Sequence, residues 1–118
     1  MFINFTNHSS SRWSEAQLEK AGEYGGIVDI PFPKVEPDCS REIIQKMADK
    51  YVKQIVDRKP DCVLCQGEFC LCVAVIERLK EKGIKVVAAC SRREAEETFT
   101  EQETRKISRF VFVQFREY

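Results

Sequence analysis

The residues best suited to chemistry stand in one short segment, NFTNHSSSRW, at positions 4–13. It contains the chain's only histidine, His8, and Arg12, next to three consecutive serines. Imidazole is the side chain most often used for proton transfer, and a guanidinium can pair with a phosphate through two hydrogen bonds. We therefore take His8 and Arg12 as the catalytic candidates, although such a polar run is also typical of a plain turn before a helix. The ligand-binding candidates in the same segment are Asn7, Ser10 and Ser11.

Two later loops carry groups that suit the same ligand. QGEF and CSRR each follow an apolar run that predicts a β-strand. Arginines could pair with phosphate, and the aromatic residues Trp13, Phe32 or Phe69 could stack on a base. Each feature also has a structural interpretation, because an acidic residue is favoured at a helix start and Arg92-Arg93 could be a solvated entry to the hairpin. The additional binding candidates are Gln66, Gly67, Glu68, Ser91, Arg92 and Arg93.

These candidates are brought together by the predicted order of elements. MFINF, IVDI, DCVLCQ and IKVVAAC predict strands, and the intervening segments predict helices from Ser14, from Ser40 to Arg58, and from Gly67–Glu68 to Gly83. Alternating strands and helices indicate a parallel sheet, whose ligands bind at the carboxyl ends of the strands. The sequence thus predicts one α/β domain over residues 1–118, a Rossmann-like three-layer domain with a four-stranded parallel sheet and a C-terminal β-hairpin.

The composition and the absence of long apolar segments argue against several classes of function. The 19 basic and 19 acidic side chains cancel, which argues against binding to duplex nucleic acid. No stretch is long and apolar enough to cross a membrane, and MFINFTNHSS is unlike a signal peptide, so we expect a cytoplasmic protein with free thiols. Cys62 and Cys65 should point to opposite faces of their strand, and Cys70 and Cys72 diverge around a helix. We therefore expect no metal site and no cofactor, with a thiol-based redox or metal protein as a lesser alternative.

The C-terminal segment ISRFVFVQFREY predicts a hairpin strand that is apolar on both faces. Phe110 and Phe112 are expected to point one way, and Val111, Val113 and Phe115 the other. An apolar edge strand needs cover, and a homodimer would supply it. A second function class follows from this: a protein-interaction module that dimerises through its C-terminal strand and has no enzymatic activity.

The N-terminal residues also carry a family resemblance. A strand that ends in Asn4-Phe5-Thr6, a loop containing His8 and a helix with Gln17 in its first turn resemble the start of small CRISPR-associated proteins. The order of elements is similar to that of CARF-type Rossmann-like domains. The resemblance implies a homodimer that binds a cyclic oligoadenylate second messenger, and in some members degrades it as a metal-independent ring nuclease in antiviral defence. We expect a nucleotide-binding protein, with phosphodiester cleavage as a further possibility.

Overall fold

The computed structural model describes residues 1–99 and 104–118 as a mixed α/β domain. Three helices and five strands alternate along the chain until the final two strands, which follow each other directly. The elements are β1 (Phe2–Phe5), α1 (Glu15–Gly22), β2 (Ile27–Asp29), α2 (Arg41–Asp57), β3 (Cys62–Cys65), α3 (Phe69–Glu81), β4 (Lys85–Phe99) and β5 (Thr104–Glu117).

The strands form one sheet in the order β2-β1-β3-β4-β5. The first four strands are parallel, and β5 pairs with β4 in the antiparallel direction. The alternating βα pattern of the sequence is thus confirmed. The order reverses at β1, because α1 leads outward to β2 on one side and α2 crosses back to β3 on the other. Ligands in sheets of this kind bind near such a reversal, at the carboxyl ends of the strands.

The sheet separates two apolar clusters. On one face, α2 and α3 cover Ile3, Phe5 and Val63. On the other face, α1 covers Phe2, Leu64 and Val87 together with the rings of Trp13 and Phe115. Apolar residues recur at helical spacing and predict the inward faces of α2 (Ile44, Ala48, Tyr51, Val52, Ile55) and α3 (Leu71, Val75, Ile76, Leu79). These faces are confirmed: all of these residues are buried except Tyr51 and Ile76, which are half-buried against the same cluster. No helix in the described part of the chain has the length and apolar composition needed to span a bilayer.

The C-terminal region differs from the prediction in one respect. IKVVAAC and REAEETF belong to a single long strand, β4, so the sheet has five strands and the hairpin is its continuation. β3 pairs with β4 only as far as Val87, and from there β4 and β5 extend as a two-stranded arm about 40 Å long. The sequence concealed this continuity because Arg92 and Arg93 interrupt the apolar run. The turn of the hairpin lies outside the described residues.

A β-bulge changes the faces of β5. Cys90 pairs with Gln114, whereas Ser91 pairs with Phe112, so Val113 is the extra residue. The rings of Phe112 and Phe115 consequently lie on the same face, with centroids 4.9 Å apart. The predicted alternation, which placed them on opposite faces, is therefore wrong, because an inserted residue reverses the side-chain direction beyond it.

Candidate functional site

A cleft of about 680 Å³ opens at the carboxyl ends of β1 and β3, on the sheet face covered by α1. The β1–α1 loop and the start of α1 form one wall, and the β4–β5 arm forms the opposite wall. Its volume is within the usual range of small-ligand sites. The lining residues are Thr6, Asn7, His8, Arg12, Trp13, Ser14, Gln17, Leu64, Gln66, Gly67, Ala89, Ser91, Arg109, Phe110, Val111 and Phe112.

A buried hydrogen-bond network under the β1–α1 loop fixes the position of His8. Asn4 is almost fully buried, and its side-chain amide donates to the carbonyl of His8 at 2.8 Å and to Asp29 at 2.9 Å. The Thr6 hydroxyl donates to Asn4 Oδ1 at 2.8 Å and accepts from the His8 backbone N–H at 3.1 Å. The backbone of His8 is thus held by two buried side chains, and His8 lines the cleft.

The serine run is held from below by Asp29. The Ser10 hydroxyl donates to Asp29 at 3.1 Å, and the Ser10 backbone N–H and the Ser9 hydroxyl each donate at 3.3 Å. Burial of Asp29 works against its ionisation, but the hydrogen bonds from Asn4, Ser10 and Ser9 outweigh it and hold the pKa of Asp29 below its ordinary value. The Ser9 and Ser11 hydroxyls bond each other at 2.9 Å. These serines shape a single 3-10 turn over residues 10–12 and do not line the cleft.

Four polar side chains face the cleft from this wall without an internal partner. Within the part of the chain that the structure describes, the side chains of Asn7, His8, Arg12 and Gln17 have no hydrogen bond or ion pair. Asn7, His8 and Arg12 are also exposed to solvent. Because their polar groups are unpaired, these residues can bind a ligand without breaking an internal contact.

The opposite wall is built by the end of β3 and the hairpin arm. Gln66 Oε1 accepts a hydrogen bond from the Ala89 N–H at 2.9 Å, which joins the end of β3 to β4. The NH₂ group of the Gln66 side chain can donate two hydrogen bonds, and Ser91 adds a hydroxyl. Arg109 lies on this wall and forms an ion pair with Glu94 at 3.4 Å. Arg109 was not predicted as a site residue, because only the hairpin pairing brings it to the cleft.

Several predicted binding residues lie outside the cleft. Glu68 caps α3: its carboxylate accepts from Leu71 N–H at 2.8 Å and Cys70 N–H at 3.0 Å, and these bonds lower its pKa. Arg93 donates to the Ser108 hydroxyl at 3.1 Å, farther along the arm, and neither Arg93 nor the adjacent Arg92 lines the cleft. The structure therefore brings together Asn7, His8, Arg12, Gln66, Gly67 and Ser91, but not Ser10, Ser11, Glu68, Arg92 or Arg93.

Of the aromatic residues proposed to stack on a base, one lines the cleft and two do not. Trp13 lines the cleft, and its ring contacts Phe2 and Phe115 at centroid distances of 6.1 and 6.3 Å. Phe32 is buried with its ring on Phe5 at 4.8 Å, so the prediction that it could stack on a base is wrong. Phe69 is 86% exposed, but it is not part of the cleft. The residues that supply rings to the cleft are thus Trp13 and, from the hairpin, Phe110 and Phe112.

The cysteines and acidic residues do not gather around a metal position. The described residues contain no group of three or more His, Cys, Asp or Glu side chains arranged to hold a metal ion. Cys62 and Cys65 lie in the two different apolar clusters, on opposite faces of β3, as the strand alternation predicts. All six cysteines are free thiols.

The family model described as "Uncharacterized protein MJ1673 family" matches residues 1–116, and the chain belongs to that family. No curated protein and no solved structure gives a significant match to the chain.

Proposed function

We propose that this member of the MJ1673 family binds a nucleotide in the cleft between the β1–α1 loop and the hairpin arm. The observation that carries the proposal is the charge of the lining: among the described residues that form it, two are arginines, one is histidine, and none is Asp or Glu. The whole chain has equal numbers of acidic and basic side chains, so this exclusion of carboxylates is local. It favours an anionic ligand.

Arg12 is the residue that we assign to the phosphate. It is exposed, it lines the cleft, and it has no partner among the described residues, whereas Arg109 already pairs with Glu94. A guanidinium can donate two parallel hydrogen bonds to one phosphate. Arg12 therefore supplies both the charge and the geometry that a phosphate ligand requires.

The other lining groups suit a nucleoside. Asn7, Gln17 and Gln66 carry amides, which donate and accept hydrogen bonds as the edge of a base does. Trp13 and Phe112 supply apolar rings on opposite walls, and stacking of a base on an aromatic ring is worth about 1–3 kcal/mol in single-strand binders. The position at the carboxyl ends of parallel strands, where their order reverses, is also the ligand position of Rossmann-like domains.

The finer proposal is a cyclic oligoadenylate. It rests on the resemblance of Asn4, Phe5, Thr6, His8 and Gln17 to small CRISPR-associated proteins, and it includes cleavage without a metal. In that reaction the ribose 2′-OH attacks the adjacent phosphorus, the bond to the 5′-oxygen breaks, and a 2′,3′-cyclic phosphate forms. His8 would take the proton of the 2′-OH, a water molecule would protonate the departing 5′-oxygen, and Arg12 would stabilise the charge on the phosphate oxygens.

Isothermal titration calorimetry with the purified chain tests whether it binds a nucleotide. The ligands are AMP, ATP and a ring-size series of cyclic oligoadenylates, each added to wild-type protein and to Arg12→Gln. A hydrogen bond to a charged group contributes about 1.5–3 kcal/mol, so Arg12→Gln should weaken binding by about 10- to 150-fold. Arg58→Gln is the matched control: it removes the same charge at the end of α2, outside the cleft.

Three outcomes decide between the coarse and the fine proposals. Binding of a cyclic oligoadenylate that Arg12→Gln weakens, and Arg58→Gln does not, supports both. Binding of AMP or ATP alone, with the same dependence on Arg12, supports the nucleotide site and overturns the cyclic ligand. If wild-type protein that is folded by circular dichroism binds none of these nucleotides, the proposed function is overturned.

The variant His8→Asn tests whether the protein cleaves the ligand with His8 as the proton acceptor. Product formation from the bound cyclic oligoadenylate is followed by chromatography in the presence of EDTA. Loss of a general acid–base group typically lowers the rate about 10²- to 10⁴-fold, whereas binding should change by less than about threefold. An unchanged rate in His8→Asn would remove this residue from the reaction, and intact ligand after incubation with wild-type protein would overturn the nuclease part alone.

A second candidate function rests on β5. In the described part of the chain this edge strand pairs only with β4, and it exposes Ile107, Phe110, Val111 and Val113. Exposed apolar edge strands pair with other chains, so we also propose homodimerisation through β5. Light scattering after gel filtration should give a dimer for the wild type and a monomer for Val113→Lys. A wild-type monomer at all concentrations would overturn this proposal.

A further inference from the structure

One pair of cysteines has its sulfur atoms in contact, and the nucleotide proposal does not use it. Cys65 is the last residue of β3, and Cys72 lies in the first part of α3. Their sulfur atoms are 3.8 Å apart, on the sheet face opposite the cleft. Of the six cysteines, all of which the structure describes, no other two have sulfur atoms in contact. We propose that Cys65 and Cys72 form a reversible disulfide when the protein meets hydrogen peroxide.

The geometry requires little rearrangement for bond formation. A disulfide needs its sulfur atoms about 2.05 Å apart, so the two atoms must approach by about 1.8 Å. Both residues are buried, Cys65 fully and Cys72 with 7% of its surface exposed, so Cys72 is the less enclosed of the two. The two residues belong to adjacent elements joined by the short segment Gln66–Glu68, which turns the chain between them.

The surroundings assign different roles to the two sulfur atoms. Hydrogen bonding from Cys65, together with the backbone N–H of Gly67, lowers the pKa of Cys72 in spite of its burial. The same hydrogen bond and burial raise the pKa of Cys65. Thiolates attack peroxide and thiols do not, so Cys72 is the attacking group and Cys65 is the resolving group.

The reaction balances with peroxide as its only co-reactant. The Cys72 thiolate attacks one peroxide oxygen, the O–O bond breaks, and hydroxide leaves, which gives a sulfenic acid on Cys72. The Cys65 sulfur then attacks the Cys72 sulfur, the S–O bond breaks, and the hydroxyl group leaves as water with the Cys65 proton. Two thiols have lost two electrons and two protons, and one peroxide has become two waters. A dithiol reductant reverses the change by thiol–disulfide exchange.

Peptide mapping of the full-length chain tests the pairing. Trypsin leaves all four cysteines of residues 62–72 on one peptide that ends at Arg78, and a glutamate-specific protease then cuts it after Glu68. Peroxide-treated protein should yield Cys62 and Cys65 on one fragment, joined by a disulfide to the fragment with Cys70 and Cys72. Fragmentation should place the bond at Cys65 and Cys72, and treatment with a dithiol reductant should remove it.

Variants separate this pairing from its neighbours. Cys70→Ser changes the exposed cysteine of the same helix and is the control, so it should form the bond as the wild type does. In Cys65→Ser, the hydroxyl can still donate a hydrogen bond to the Cys72 sulfur but cannot form a disulfide, so the sulfenic acid should persist on Cys72 and react with dimedone. Cys72→Ser should give no such adduct on Cys65. A bond that involves Cys62 or Cys70, or no bond in folded wild-type protein after peroxide treatment, would overturn the proposal. Neither result depends on a nucleotide, so the two proposals fail separately.

Discussion

Gly67 lies between β3 and α3, where the chain passes over a buried ring. A Cβ atom at this position would be 2.5 Å from Phe32 Cε1 and 2.6 Å from both Cδ1 and Cζ. The ring has little room to move, because Phe32 is 4% exposed and packs on Phe5. Overpacking of this kind costs about 1–3 kcal/mol. For a chain of 118 residues, Gly67→Ala should therefore lower Tm by about 4–12 °C.

A double-mutant cycle tests the assigned cause. Phe32→Leu removes two of the three clashing atoms, Cε1 and Cζ, so Gly67→Ala should cost less in that background, with a coupling energy of about 0.5–3 kcal/mol. Urea unfolding followed by circular dichroism measures all four proteins. Gly22→Ala is the matched control, because nothing lies within 4 Å of its added Cβ, and it should not destabilise the chain. Equal costs of Gly67→Ala with and without the Phe32 ring would refute the reasoning.

Two further predictions concern the carboxylates that organise the loops. Asp29→Asn should lower the free energy of unfolding by about 1 kcal/mol at pH 7, since the charged hydrogen bonds it loses are partly screened by solvent. Folding lowers the pKa of Asp29, so its carboxylate stabilises the folded chain at pH values above the ordinary carboxyl pKa. This stabilisation should disappear as the pH falls through the lowered pKa. A difference in Tm between wild type and Asp29→Asn that stays constant from pH 7 to pH 3 would contradict this prediction. Glu68→Ala should cost about 1 kcal/mol by leaving two N–H groups of α3 uncapped, and Glu68→Ser should recover most of the loss. Thermal melts followed by circular dichroism measure both, and equal melts for Ala and Ser at position 68 would argue against capping.

The parts of the fold that local sequence determines were predictable. The apolar spacing of Ile44, Ala48, Val52 and Ile55 depends only on helical geometry, and it predicted the buried face of α2. Likewise, strand alternation was enough to separate Cys62 from Cys65. Both patterns are set by residues a few positions apart, and no knowledge of neighbouring elements is needed to interpret them.

The missed features all depend on pairing between distant segments. Asp29 was not among the residues predicted for the site, but its register with Asn4 across the parallel β1–β2 pair places its carboxylate under the serine turn. Arg109 reaches the cleft only because β5 folds back along β4. The bulge at Val113 has no local signal either, because Val111, Val113 and Phe115 keep the two-residue spacing of a regular strand in the sequence.

The polar side chains in and beneath the loop that carries His8 and Arg12 fall into two groups. Asn4, Thr6 and Asp29 bond its backbone and its serines, so the loop conformation is stabilised by contacts within the chain. The groups left without internal partners, His8 and Arg12 among them, are those that face the cleft. A ligand that binds them has no need to order the loop, and the entropic cost that flexible sites incur on binding is correspondingly small. Binding at this cleft should thus depend on the charge and shape of the ligand more than on a rearrangement of the protein, which is why removal of the Arg12 charge alone is a sharp test of the site.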